Sequence, residues 1–207
     1  MNSESVAAKI VPRWEWRTFA QSLASLEARA TGVAGVAPRQ SDEIYLLNLR
    51  GPHNAKIRGG AFDIKQLQQV SAEGLELWSP AFKGNFPLTA AQLRDAFSAW
   101  ALPPPDFARD GYTLEQFLGE VALPALGLRV ARVAKVRRGF VFGGCTAEFA
   151  GVVVDGVACE TFCLEHENPA LILAALTQLR LTPQANVNYP EGLKRALGIG
   201  RAALAAA

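Results

Sequence analysis

Eight stretches of this chain read as strands, several of them alternating apolar and polar side chains with a period of two, and on most of them one face carries charges. Residues 11–19 (VPRWEWRTF) put Arg13, Glu15 and Arg17 on one side and Trp14 and Trp16 on the other, the mark of a strand with one buried face. EIYLLNL (43–49), AKIRGG (55–60), AFDIKQLQQV (61–70) and GLELWSPAF (74–82) are further strand-like runs. From residue 128 the pattern returns in LRVARVAKVRRGFVF, CTAEFAGVVVDG and ACETFCLEHEN. Gly59-Gly60 and Asp155-Gly156 each separate two such runs, and both dipeptides suit the tight turn of a hairpin. Strands joined so closely run antiparallel.

Helical text interrupts the strands. Residues 20–31 are rich in Ala and Leu and are closed by Gly32 and Gly35, which predicts a helix. TAAQLRDAFSAW (89–100) predicts a capped amphipathic helix halted by Pro103-Pro104-Pro105. TLEQFLGEVALPALG (113–127) predicts another, with Thr113 as N-cap. Pro169 opens PALILAALTQLRL, and NYPEGLKRALG (188–198) makes a last short helix, with AALAAA as a frayed tail. No repeat of fixed period is present. The expected class is α+β, a single domain over 1–207 with a helical insert at about 87–128.

Composition limits the function classes. Twenty-one Lys and Arg against 19 Asp and Glu leave a formal charge of +2, which disfavours a general nucleic-acid partner. No run of about 18 apolar residues predicts a membrane span, and MNSESVAAKIVPR lacks a signal-peptide core. Cys145, Cys159 and Cys163 are odd in number and lack zinc spacing, so they read as buried reduced thiols. The expected location is the cytoplasm. His53 reads as a turn residue, His166 faces away from its acidic neighbours, and the tryptophans read as packing residues.

The charged face remains. It holds Arg13, Glu15 and Arg17, then Lys56 with Arg58 and Asp63 with Lys65. Arg132 heads a later strand, followed by Lys135, Arg137 and Arg138; Glu148 sits mid-strand, and Glu165 and Glu167 share one side. This face is either solvated on the outside or, if the sheet curls into a barrel, the lining of a polar cavity. Such a lining would hold an anion on its bases and a divalent cation on its carboxylates, as a polyphosphate with its metal requires.

These motifs resemble the CYTH superfamily, the triphosphate tunnel metalloenzymes, over about residues 11–198. RVAKVRRGFVF resembles the family's K-x-R strand, CTAEFAGVVVDG its acidic strand, and ETFCLEHENPALILAALTQLRL its E-x-E strand leading into a helix. AKIRGGAFDIKQL resembles the paired strands with R-x-R and a lysine, and NVNYPEGLKRALG the closing motif. The family's E-x-E-x-K strand stands here as Arg13-Trp14-Glu15-Trp16-Arg17, which keeps only the middle carboxylate.

The resemblance implies an antiparallel eight-stranded β-barrel, closed or nearly so, with helices packed outside. It assigns the phosphates to Arg13, Arg17, Lys56, Arg58, Lys65, Arg132, Lys135, Arg137 (or its neighbour Arg138) and Lys194. Glu148, Glu165 and Glu167 would hold Mg²⁺ or Mn²⁺, and Glu15, Glu165 and Glu167 would serve catalysis. The implied activity is metal-dependent hydrolysis of a small-molecule triphosphate or polyphosphate. The alternative is a module that binds polyphosphate or nucleotide without turnover, since Arg13 adds positive charge where a cation should sit. Helices outside a barrel leave room for a homodimer, which the sequence does not decide.

Overall fold

The computed structural model describes residues 11–30, 32–125 and 127–199. The AALAAA tail and the first ten residues lie outside that range. Eight strands close a barrel: β1 (Arg13–Ala20), β2 (Arg39–Asn48), β3 (Asn54–Arg58), β4 (Ala61–Val70), β5 (Glu76–Asn85), β8 (Leu128–Phe142), β9 (Cys145–Val154) and β10 (Val157–His166). The order around the barrel is β1-β10-β9-β8-β2-β3-β4-β5, and every neighbouring pair is antiparallel. Two short strands, β6 (Leu88–Thr89) and β7 (Gly111–Tyr112), pair apart from it. The turns at Gly59-Gly60 and Asp155-Gly156 both adopt positive φ, as does Gly143-Gly144 between β8 and β9, the geometry that matches the twist of two strands in a tight hairpin.

Period-two alternation sends one set of side chains outward, and helices cover it. Trp16, Phe162 and Leu164 meet Ile172, Ala175, Leu176 and Leu179 of α4 (Pro169–Leu179). Ile57, Phe62 and Ile64 meet Leu93, Ala96, Phe97 and Trp100 along α2 (Ala90–Ala99). Thr89 caps α2 with a full capping box to Gln92, and Asn168 caps α4 ahead of Pro169. A third apolar cluster lies within the barrel itself. There Tyr189 and Leu193 of α5 (Tyr189–Ala196) meet Phe19, Tyr45, Leu47, Ala131, Val154 and Cys159, so α5 plugs one end of the bore. Among the described residues no helix is long and apolar enough to cross a membrane.

Two helix expectations need correction. The expected helix at 20–31 is reduced to α1 (Ala24–Glu27). Tertiary contacts overrule its helical composition: the Leu23 N–H donates to the Glu160 carboxylate, and Leu23, Leu26, Ala30 and Val33 spread over the α4 core. The expected helix at 113–127 is capped by Thr113 as foreseen, but α3 (Leu114–Gln116) passes into a π-helical turn over Phe117–Ala122. Pro124, which has no N–H to give, follows directly after its last turn.

A candidate anion-binding bore

Cross-strand register settles which charges face inward. Glu15 pairs with Glu165 on one side and Glu76 on the other, Cys163 with Glu148, Ser41 with Lys135, and Arg39 with Arg137. Glu43 pairs with Arg58, Lys56 with Asp63, and Asn54 with Lys65. Directly paired residues share a face. The bore therefore has an acidic half on β5-β1-β10-β9, with Glu76, Glu15, Glu165 and Glu148. Its basic half on β8-β2-β3-β4 holds Lys135, Arg137, Arg39, Lys56, Arg58 and Lys65.

Each half contains a buried side chain of the opposite charge. In the basic half this is Glu43, whose side chain is wholly buried. It accepts from Lys135 Nζ at 2.9 Å and lies 3.6 Å from both Lys56 and Arg58. Burial alone would raise its pKa, but Lys135, Lys56 and Arg58 outweigh that and bring it down to about 2. Burial pushes the Lys135 ammonium the other way, down to about 7, despite Glu43 beside it. Lys135 also donates to the Tyr45 hydroxyl at 2.7 Å and stands 3.9 Å from the centre of the Tyr189 ring. In the acidic half the counter-charge is Arg17, with Nε on Glu15 Oε1 at 2.7 Å and its guanidinium 4.7 Å from the Tyr189 ring. Tyr189 stacks on Tyr45 at 5.1 Å, so the two rings form the floor on which both cations rest.

Glu15 and Glu165 act as a pair. Burial works against ionising either, but Arg17 and Lys65 hold Glu15 below the usual range. Burial and then Glu15 push Glu165 up, so the two carboxyls titrate apart, Glu165 holding its proton to higher pH than Glu15. These two carboxylates line a cavity of about 240 Å³ with Arg13, Lys65 and Trp78. A second cavity, about 450 Å³, opens between Arg39, Arg137 and Glu148. There Arg137 reaches Glu148 only at 4.0 Å, and its buried Nε has no acceptor among the described residues.

The bore gathers Arg13, Glu15, Arg17, Lys56, Arg58, Lys65, Lys135, Arg137, Glu148 and Glu165 of the expected residues. It leaves out three. Arg132 pairs with Ile44 on the outer face, because it differs in parity from Lys135. Glu167 lies past the end of β10 and is exposed. Lys194 donates to the Gly51 carbonyl at 3.4 Å and ties α5 to the β2–β3 loop. Of the adjacent pair, Arg137 points inward, and Arg138 points out to Glu27. Glu43, Tyr45, Tyr189, Arg39 and Glu76 escaped the sequence reading. The signal for Glu43 lay in EIYLLNL, where it shares parity with Tyr45 and Leu47 on a strand otherwise buried.

The side chains present do not fit a resident divalent cation. Among the described residues no three His, Cys, Asp or Glu side chains gather closely enough to hold one. Glu15 is claimed by Arg17, Glu148 faces Arg137, Glu167 is outside, and Arg13 adds positive charge at the same mouth.

The site thus sits in the charged bore of a closed eight-stranded antiparallel barrel. No family model and no curated protein sequence matches the chain. Among solved structures it is similar to a conserved hypothetical protein from Pyrococcus furiosus, at 16% identity and TM-score 0.46, over 86% of this chain and 98% of that one. It is also similar to a Bacillus halodurans protein described as a candidate adenylate cyclase, at 12% identity and TM-score 0.40, over 84% and 91%. A third, from Hippeastrum, is described as a candidate adenylyl cyclase with a dominant triphosphatase activity; it shares 11% identity and TM-score 0.40 over 82% and 88%.

Proposed function

We propose that the bore binds a small-molecule triphosphate or short polyphosphate. The observation that carries this is the basic half: Arg39, Lys56, Arg58, Lys65, Lys135 and Arg137 face only Glu43 and Asp63 among the carboxylates of their own strands. Like charges packed so closely are costly without a counter-ion, and arginine forks match phosphate oxygens in pairs. The open positions are at the mouth, where Arg39 and Arg137 stand opposite one another and the buried Arg137 Nε lacks an acceptor. Calorimetric titration with inorganic triphosphate tests this. Binding that weakens about tenfold or more in Arg137→Gln is expected, since a hydrogen bond to a charged group contributes about 1.5–3 kcal/mol. Absence of heat in the wild-type protein at low salt would sink the proposal.

Hydrolysis is a second reading, favoured by the Glu15–Glu165 pair. Glu165, with its pKa raised, beside Glu15, with its pKa lowered, offers an acid and a base at one end of the bore, with Arg13 and Lys65 to neutralise charge on a transferring phosphoryl group. Phosphate release from inorganic triphosphate, with and without Mg²⁺ or Mn²⁺, distinguishes turnover from binding. Release that disappears in Glu165→Gln while binding survives supports this reading; binding without release in the wild type leaves the binding role alone.

A further inference from the structure

Another cavity lies away from the bore, where the end of α2 meets the β2–β3 loop. Its volume is about 360 Å³, and Asn48, Arg50, His53, Trp100, Leu102 and Pro103 line it. Trp100 is wholly buried, and its indole Nε1 has no acceptor among the described residues. Elsewhere in the chain Trp16 gives its indole N–H to the Pro183 carbonyl at 3.0 Å and Trp78 to Glu76 at 3.2 Å. An indole N–H can only donate, and burying one without an acceptor costs about 1–3 kcal/mol.

The surrounding groups are donors too. The Leu67 N–H donates to His53 Nδ1 at 3.2 Å, which puts the ring proton of the neutral imidazole on Nε2. Burial lowers the His53 pKa, so the neutral form prevails at pH 7. Asn48, itself buried, spends its Oδ1 on the Arg50 and Gly51 N–H groups at 2.9 and 3.1 Å, leaving its Nδ2 as a donor. Arg50 contributes a full positive charge. No carboxylate lines this cavity among the described residues, while Leu102 and Pro103 give it an apolar wall.

We propose that this cavity is a binding site for a small carboxylate with an apolar body. Trp100 Nε1 is itself occluded, so binding tilts the ring toward the cavity; the carboxylate then accepts from Nε1 and the Arg50 guanidinium, and the apolar part rests on Leu102 and Pro103. The bore selects for several charges in a row; this cavity has one guanidinium and neutral donors, which suit a single negative charge.

The four tryptophans make the test direct, because each indole N–H gives its own proton resonance. Trp100 is assigned with Trp100→Phe, and the wild-type protein is titrated with benzoate, then separately with inorganic phosphate. A saturable downfield shift confined to the Trp100 indole, weakened about tenfold in Arg50→Gln, is expected for benzoate. Lack of any Trp100 shift at tens of millimolar benzoate overturns the site. Equal shifts of all four indoles overturn it as well, and a phosphate response as strong as that to benzoate overturns the carboxylate class. If Trp100→Phe does not fold, Arg50→Gln still decides, since it lies on an exposed loop and loses only the charge. Inorganic triphosphate is expected to move Trp78, at the mouth of the bore, and to leave Trp100 in place.

Discussion

Glu43 and Lys135 show what one buried charge contributes and demands. Glu43 holds three cations at once, so Glu43→Ala leaves a buried ammonium uncompensated. The expected loss is about 3–5 kcal/mol, read by urea denaturation. Glu43→Gln keeps the shape and should lose less. The two groups also give opposite pH signatures. Glu43 titrates at about 2 when folded, below an ordinary carboxylate, so its stabilisation is present above the unfolded pKa and fades as pH falls toward 2. Lys135 titrates at about 7 when folded, below an ordinary lysine, so the unfolded chain binds more protons between pH 7 and the usual lysine range. Its contribution to stability therefore grows as pH rises through that window, and Lys135→Met should abolish that rise in thermal scans. A phosphate ligand favours the charged ammonium. Affinity for triphosphate should accordingly fall above pH 7, with proton uptake on binding seen by calorimetry in buffers of different ionisation enthalpy.

Among the elements, α5 decides the shape of the bore. Its Gly192 packs so closely on Phe19 of β1 that an added Cβ would overlap the ring. Gly192→Val should destabilise the docked helix by about 1–3 kcal/mol, the usual cost of overpacking, and speed amide exchange in α5 before the barrel strands. Faster exchange spread evenly through the barrel would contradict the view of α5 as a plug. The helix text was legible to different degrees. Thr89-x-x-Gln92 and Asn168-Pro169 mark α2 and α4 because capping is a local interaction. Residues 20–31 misled because α1 is held by Glu160, a partner far along the chain. The β8 strand shows the same division: its alternation is plain, but only pairing with β2 shows that Arg137 faces the bore and Arg132 does not.

At the scale of the whole molecule, bringing bases from four strands onto one wall sets up a self-repulsion that the proposed triphosphate would relieve. Inorganic triphosphate at about a hundred times its dissociation constant should stabilise the fold by about 2.7 kcal/mol, or raise Tm by about 5–10 °C for a chain of this size. The shift should shrink as NaCl increases, because much of it is screened charge. A salt-independent shift would point to apolar contacts instead. The chain alone determined the eight barrel strands, the hairpin turns at Gly59-Gly60 and Asp155-Gly156, the charged parity and the apolar face that the helices cover, because all of these depend on neighbours close in sequence. Tertiary structure decided the rest. Closing the barrel placed Glu15 between Glu165 and Glu76 and set acids against bases across the bore. It buried Glu43 among Lys135, Lys56 and Arg58, and seated Tyr189 on Tyr45 as a floor. It also kept Glu167 out, and among the described residues it gathered no three His, Cys, Asp or Glu side chains closely enough to hold a metal ion. Those relations depend on register and strand order around a closed sheet, which bring together side chains more than a hundred residues apart and leave no trace in local periodicity.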